Sequence, residues 1–265
     1  MSPVRAEVSG RDGGAPALEK GLDLLEALAA EPGGITQKDL AALVGKSVNE
    51  IFRMLGVLER RGYIARDAKT GAYSLTLRLF QLALHHPPTR RLQHVALPIM
   101  EMLAAETGLS CHLSMPTQDG QFLIVAEAEP PLPMGWVVKL GAVFPFTMQY
   151  ASARVLAAFQ NGPRRQEMAL HLAANSKQPK TKVLSRLDTI AASGHDMAAS
   201  ELAIGLTDLS CPVLDEHGHA VAALTLPFLP RLRAKAKAID MLPALRAAAA
   251  EMSARIGGAS GQHFR

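Results

Sequence analysis

Only two cysteines, Cys111 and Cys211, occur in the 265 residues. Two are too few for a disulfide scaffold and they lack the spacing of metal ligands, so both read as buried thiols. No apolar run approaches the roughly 18 residues that a membrane span needs. The opening MSPVRAEVSGRDGGAPA has no apolar core of the signal-peptide kind and reads as a flexible tail, residues 1–16. The expected location is the cytoplasm. Neither charge sign dominates: 28 Lys and Arg face 24 Asp and Glu, a net +4 that permits nucleic-acid binding without arguing for it. The nucleophile elbow G-x-S-x-G, the zinc-protease H-E-x-x-H and the dinucleotide G-x-G-x-x-G are all missing. Cys111 and His112 are neighbours in a strand pattern, so they point to opposite faces and make no nucleophile–base pair. Nothing here argues for catalysis, and no cofactor is expected.

What is present is ordinary globular material: 48% hydrophobic and 20% charged residues, enough to bury a core. The length favours two domains. No internal repeat is visible.

The basic charge is not evenly spread. Between Lys46 and Lys69, Lys46, Arg53, Arg60, Arg61, Arg66 and Lys69 face only Glu50, Glu59 and Asp67. The segment 36–63, TQKDLAALVGKSVNEIFRMLGVLERRGY, reads as two short amphipathic helices broken at Gly45 and Lys46. Leu18, Leu22, Leu25, Leu28 and Ala29 place an amphipathic helix before it, stopped by Glu31-Pro32-Gly33-Gly34. Thr36 offers a cap to the first helix of the pair with Asp39 three residues on, and Leu40, Leu43 and Val44 supply its buried face. Ser47-Val48-Asn49-Glu50 is a full capping box for the second. There Val48, Ile51, Leu55 and Leu58 form the inward stripe, while Asn49, Phe52 and Arg53 face away. Residues 63–66 and 72–75 alternate around Asp67-Ala68-Lys69-Thr70-Gly71 and predict a β-hairpin, the wing of a winged helix.

Such a unit points at DNA. Gln37 and Lys38 begin the first helix, Lys46 and Ser47 sit where phosphate is bound, and Arg66 and Lys69 occupy the wing. Asn49 and Arg53 are the candidate base readers, since Asn pairs with adenine and Arg with guanine in the major groove. The competing reading is a helix pair packed on its own domain with ordinary surface polar residues. Gly45-Lys46-Ser47 imitates the end of a phosphate-binding loop, but Leu40 stands where that loop needs glycine and a helix precedes it instead of a strand.

Beyond the wing, residues 75–86 predict a helix stopped by Pro87-Pro88, a linker over 76–88. Residues 90–107 are helical in pattern despite Pro98. Strand patterns follow at 110–115, 122–127 and 136–140, and helices at 150–160, 164–171 and 182–192. Two strands at 208–214 and 220–226 are joined by Asp215-Glu216-His217-Gly218, and an alanine-rich helix at 235–256 closes the domain. This order predicts an α+β domain with a largely antiparallel sheet. The expected division is a tail 1–16, a winged helix-turn-helix 17–75, the linker helix 76–88, an effector and oligomerisation domain 89–257, and a flexible tail 258–265.

Asp215-Glu216-His217-Gly218-His219 resembles a metal cluster, yet it lies in a hairpin turn where side chains diverge and no further ligand is fixed. A turn is expected there, with no metal. His85-His86 reads as a helix end, and His112 as a satisfied core or pocket-wall histidine.

Several blocks in this order resemble the IclR family of bacterial transcriptional regulators. They are LEKGLDLLEALAA, VGKSVNEIFRMLGVLERRGYIARDAKTGAYSLTLRLFQLA, FPFTMQYASARVLAAF and ELAIGLTDLSCPVLDEHGHAVAALTL. The resemblance spans nearly the whole chain. It implies N-terminal winged helices that bind a palindromic operator as a homodimer or tetramer, and a GAF-like C-terminal domain that binds a small metabolite. By the same resemblance the effector pocket falls on Trp136, Gln149, Tyr150, Ala151, Asp208 and Thr225. Ser152-Ala153 stand where the family usually has Gly-Lys, bulky Tyr150 replaces a small residue, and Pro227 stands where a hydroxyl residue can occur. With Trp136 and Tyr150 converging, an aromatic or flat ligand is expected by stacking. Asp208 favours a hydroxyl or amine donor on it. The other reading of Trp136 is plain core, and the alternative for the whole is a metal-sensing or enzymatic C-terminal domain with the helix-turn-helix as a protein-binding module.

Overall fold

The apolar residues sort into three cores, one in the N-terminal part and two in the C-terminal part. The computed structural model describes residues 15–31, 33–84, 87–132, 135–200, 203–230 and 236–257. It forms two units, Met1–His86 and Pro87–Arg265. The expected tails over residues 1–14 and 258–265, the His85-His86 pair and the start of the last helix at Lys235 lie outside the described residues.

In the first unit, α1 (Pro16–Ala29), α2 (Gln37–Leu43) and α3 (Val48–Arg60) precede a hairpin of β1 (Ile64–Arg66) and β2 (Tyr73–Leu75), then α4 (Arg78–Leu84). Thr36 caps α2: its hydroxyl accepts from the Asp39 amide at 3.3 Å and donates to the Asp39 carboxylate at 2.7 Å. Ser47 and Glu50 form the complete capping box of α3. Gly45 and Gly62 take the positive φ values of 64° and 74° that end these helices, a conformation glycine adopts without steric cost. Leu24, Leu28, Leu40, Ile51, Leu55, Ile64 and Tyr73 fill the core.

Five residues of the expected inward stripes are instead in water: Leu18, Leu22, Ala29, Leu43 and Val48. Helix α1 carries two apolar rows at helical spacing, 18-22-25 and 24-28, rotated from each other by one residue. Packing against α2, α3 and β2 buries the second row. On α2 and α3 the turn between the helices leaves Leu43 and Val48 at the open end.

In the second unit, α5 (Pro87–Thr107) leads to β3 (Cys111–Pro116), β4 (Gln121–Ala128) and β5 (Val143–Pro145). Helices α6 (Ala151–Ala158), α7 (Gly162–Ser176) and α8 (Lys180–Ser193) follow. Strands β6 (Asp196–Ala199), β7 (Thr207–Leu214) and β8 (Ala220–Phe228), a 3-10 turn (Ala238–Met241) and α9 (Leu242–Ile256) complete it. Six strands form one sheet in the order β5-β4-β3-β8-β7-β6, with every pairing among the described residues antiparallel. Cys111, Leu113, Leu209, Cys211, Val213, Leu224 and Leu226 point into the core shared with α5 and α9. Phe122, Ile124 and Ala223 point into the core shared with α6, α7 and α8.

Three expectations change. Residues 136–140 are not a strand; the chain turns at Gly141 (φ 79°) and pairs only afterwards as β5, whose Pro145 is tolerated because the strand lies at the sheet edge. Prolines 87 and 88 open α5, in the first turn where their missing N–H costs nothing. Strand β6 is an addition that its weak β-formers Asp196-Met197-Ala198-Ala199 do not announce. Pro98 does sit within α5, where Ala96, Ile99, Met100 and Leu103 are buried and hold the helix against its missing hydrogen bond.

Helix α6 is anchored by charge. Arg154 Nε donates to Asp196 Oδ2 and Arg186 donates to Asp196 Oδ1, both at 2.5 Å, and Arg154 also donates to the Met148 carbonyl. Arg154 and Asp196 are buried, whereas Arg186 keeps 39% of its side chain in water. Asp196→Ala therefore strips the buried Arg154 of its ion-pair partner, leaving only the Met148 carbonyl and the weaker pull of Asp208, and urea unfolding of the full chain should show a loss of about 3 kcal/mol. The double variant Asp196→Leu with Arg154→Met should recover most of it.

Candidate functional site

Each unit carries one candidate site. In the first, α3 turns Ile51 and Leu55 inward, which puts Asn49, Phe52 and Arg53 on the exposed side. Asn49 and Arg53 make no hydrogen bond or ion pair within the described residues, so their donors are available to a partner. Lys38 and Lys46 are also exposed.

Other expected contacts are already engaged. Ser47 donates its backbone N–H to Glu50 Oε2 at 2.9 Å and its hydroxyl to the same oxygen at 2.8 Å. That carboxyl is held down at about 2, first by the Ser47 amide, then by its hydroxyl and by Lys20, whose Nζ lies 3.1 Å away. Ser47 thus sets the helix start, and any phosphate contact at this end falls to Lys46 and the next free amides. Gln37 Nε2 donates to the Val48 carbonyl at 3.3 Å, bracing α2 against the head of α3. Arg66 donates to the Gly71 carbonyl at 3.4 Å and lies over the Tyr73 ring at 5.5 Å, so it stiffens the wing. Asp67 accepts the amides of Lys69 and Thr70 at 2.8 and 2.7 Å, which fixes the wing tip and presents Lys69 to solvent.

In the second unit, His112, Trp136, Tyr150, Ala151, Asp208 and Thr225 line one cleft together with Phe122, Val138, Phe144, Ser152 and Leu206. The cavity itself is small, about 30 Å³, room for a water or two as it stands, so a ring-sized ligand enters only if the irregular wall around Trp136 gives way. Gln149 is outside: it is exposed, its backbone N–H donates to the Thr147 hydroxyl at 3.3 Å, and it borders a neighbouring surface hollow with Asn175 and Lys177. Trp136 is not core, since it keeps 40% exposure at the cleft wall.

Phe122 and Phe144 are cross-strand partners with rings stacked 5.4 Å apart, and Tyr150 meets Phe122 at 5.4 Å edge-on and Phe144 at 5.3 Å. This aromatic wall was not foreseen, because it exists only once β4 and β5 pair. The polar wall is a hydroxyl chain: Thr225 Oγ1 lies 2.8 Å from both Ser152 Oγ and Ser210 Oγ. Asp208 stands beside it, its pKa raised by burial against the opposing pull of the Ser200 hydrogen bond and the Arg154 charge. Burial pushes the His112 imidazole down to about 4, so it is neutral near pH 7, and burial raises the Tyr150 phenol. Helix α6 begins at Ala151 with no side-chain cap. Its first amides therefore have no intrahelical partner and sit at the cleft, where they favour negative charge.

Burial drives both cysteine thiols up to about 12, so neither is a nucleophile near neutrality. Asp215 Oδ1 accepts the amides of His217 and His219 at 2.9 and 2.8 Å, the bonding of a hairpin turn. Among the described residues no group of three or more His, Cys, Asp or Glu is arranged to hold a metal ion, and no helix is long and apolar enough to cross a membrane.

Residues 17–68 match the IclR helix-turn-helix domain, and residues 87–254 match the C-terminal domain of bacterial transcriptional regulator IclR. The DNA-binding transcriptional repressor YiaJ of Escherichia coli K12 is 24% identical over 262 residues, covering 95% of this chain and 92% of that protein. Pseudomonas aeruginosa HmgR is similar in structure, with TM-score 0.72 at 23% identity over 92% of this chain and all of that one. An IclR homolog from Microbacterium hydrocarbonoxydans, solved in complex with 4-hydroxybenzoate, gives TM-score 0.73 at 19% identity, covering 91% and 98%.

The buried imidazole makes a pH prediction. Unfolded, His112 titrates near 6.5; folded, near 4. Between those values the unfolded chain binds a proton that the native state refuses, so this contribution to stability is complete above about pH 6.5 and is lost as pH falls toward 4. Over the whole window it amounts to about 3 kcal/mol. Urea unfolding at pH 7.5 and 4.5 should show a smaller difference for His112→Asn than for the parent, whatever the variant's absolute stability.

Proposed function

The chain belongs to the IclR family of bacterial transcriptional regulators, and on that premise we propose that it is an operator-binding switch responsive to a flat hydroxy- or amino-substituted aromatic acid. DNA binding and a C-terminal ligand-binding domain come with the family. The effector class, the contact residues and the assembly are our reading.

The observation that carries the effector class is the joining of an aromatic wall to Asp208 and the head of α6 in one cleft. A flat ring would stack on the Phe122, Phe144 and Tyr150 cluster as the segment carrying the half-exposed Trp136 moves aside to admit it. A ligand carboxylate suits the uncapped amides of α6, and a ligand hydroxyl or amine donates to Asp208, with neutral His112 and the Ser152–Thr225 hydroxyls as further partners. The structural neighbour solved with 4-hydroxybenzoate is a case of this fold seating such a molecule. On the output side Asn49 and Arg53 read bases, while Lys38, Lys46 and Lys69 contact phosphate. The protein acts in the cytoplasm as a homodimer or tetramer on a palindromic site. The effector regulates by binding one arrangement of that assembly better than another.

Footprinting on the DNA upstream of its own gene should reveal a protected palindrome. Arg53→Ala should weaken that complex about tenfold or more, the share of one good arginine–guanine contact; unchanged affinity would remove Arg53 from the interface.

In a thermal-shift panel, hydroxy- and aminobenzoates should raise the melting temperature while small oxo-acids leave it alone. Asp208→Ala should reduce affinity for the hydroxybenzoate by about tenfold, the loss of one charge-assisted hydrogen bond. Stabilisation by oxo-acids alone would overturn the aromatic assignment.

A further inference from the structure

Phe52 stands in solvent on the reading helix. Its side chain is 63% exposed, more than that of any residue in the first unit's core. With about 3.6 residues per turn, Asn49, Arg53 and Gly56 fall on the side of α3 opposite Ile51 and Leu55, and Phe52 lies on the flank between the two sides, next to Asn49 and Gly56. Val48, one turn before Phe52 and 42% exposed, extends the apolar strip toward the helix start. The strip is flanked by unengaged Asn49 and Arg53 and by exposed Lys46, so an apolar group is set among donors on a basic surface.

We propose that Phe52, supported by Val48, reads the C5-methyl group of a thymine in the operator half-site, beside the bases contacted by Asn49 and Arg53. The inference rests on the DNA-binding reading of α3. Its logic is chemical: among the groups that base pairs present in the major groove, the thymine methyl is the one apolar group that projects, whereas the flush C–H of cytosine and purines offers little area and the remaining features are hydrogen-bond donors or acceptors. A phenyl ring carried into that groove makes a favourable contact there and leaves polar groups unsatisfied elsewhere. Exposure also means that replacing Phe52 leaves the core of the unit intact.

The test removes one methyl at a time. With the full-length protein and its footprinted operator, each thymine of both half-sites is replaced in turn, symmetrically, by deoxyuridine, which keeps the O4 acceptor. At one symmetry-related position this should weaken binding of the parent about three- to fivefold per half-site, the value of one buried methyl group. Phe52→Ala should bind the natural operator correspondingly more weakly and show no sensitivity at that position, while Phe52→Leu should keep part of it. If no deoxyuridine position weakens the parent, or if Phe52→Ala keeps the parent's sensitivity, the assignment is wrong. A change in sedimentation of Phe52→Ala with unchanged operator affinity would overturn it in favour of a protein contact. Failure of the parent to bind any duplex would instead overturn the DNA-binding reading of α3 itself.

Discussion

Everything in the C-terminal unit depends on the two-residue alternation of β3, β8 and β7. Cys111, Leu113, Leu209, Cys211, Leu224 and Leu226 face α5 and α9, so the intervening residues must face α6. Toward the cleft end those residues are His112, Ser210 and Thr225, with Asp208 next in the same row, all polar, while Ala223 further along packs into the apolar layer. The polar residues could not be packed against a fully apolar layer without unpaired groups. The register aligns them: His112 pairs with Thr225, and Ser210 also pairs with Thr225. A single slip in β8 would exchange the faces and send the hydroxyls into the apolar core. The cleft is thus a by-product of the same pairing that builds the core.

Helix α6 closes this face and has its own constraint. All eight of its residues are buried, including Ser152 and Arg154. Ser152 is satisfied by Thr225 and Arg154 by Asp196 and the Met148 carbonyl. The Arg154 bonds tie the strand β6 to the loop that leads into α6, which explains why so weak a strand sequence as Asp196-Met197-Ala198-Ala199 is held at the sheet edge. The result is a helix whose uncapped N-terminus is fixed beside Asp208, a positive and a negative end across one cleft.

These dependences separate what could be read in the sequence from what could not. The capping boxes, the wing, the hairpin at Asp215–Gly218 and the apolar alternation of β7 and β8 are local patterns, and local chemistry decides them. The stripe of α1 was misassigned because Leu18-Leu22-Leu25 and Leu24-Leu28 have equal helical spacing; only the neighbouring helices choose between them. Residues 136–140 look like a strand because Trp, Val and Val favour one, yet Gly141 turns the chain before it pairs. In the cleft, His112, Trp136, Tyr150, Ala151, Asp208 and Thr225 were all nameable, whereas Phe122 and Phe144 were invisible until the edge strand placed them face to face. Gln149 was misplaced for a similar reason: it is next to Tyr150 in sequence, but the turn into α6 points it outward.

The walls of the cleft therefore differ in kind. The sheet and α6 supply the chemistry, and their groups are fixed by register and by buried bonds. Trp136, Val138 and Leu206 come from segments without regular structure, and Trp136 remains partly in water. A ligand gains its polar contacts and one apolar face, Phe122 and Phe144 on paired strands, from the fixed side, and its second apolar face from the irregular one. Charge and hydrogen-bonding pattern are accordingly selected strictly, because an unmatched buried group costs about 1–3 kcal/mol. The outline of the ring is selected more loosely, since a methylene more or less in an apolar wall is worth about 0.8 kcal/mol when buried. Family membership gives this domain a ligand-binding role; in the function proposed above, the Asp208–α6 pair is what narrows the kind of ligand.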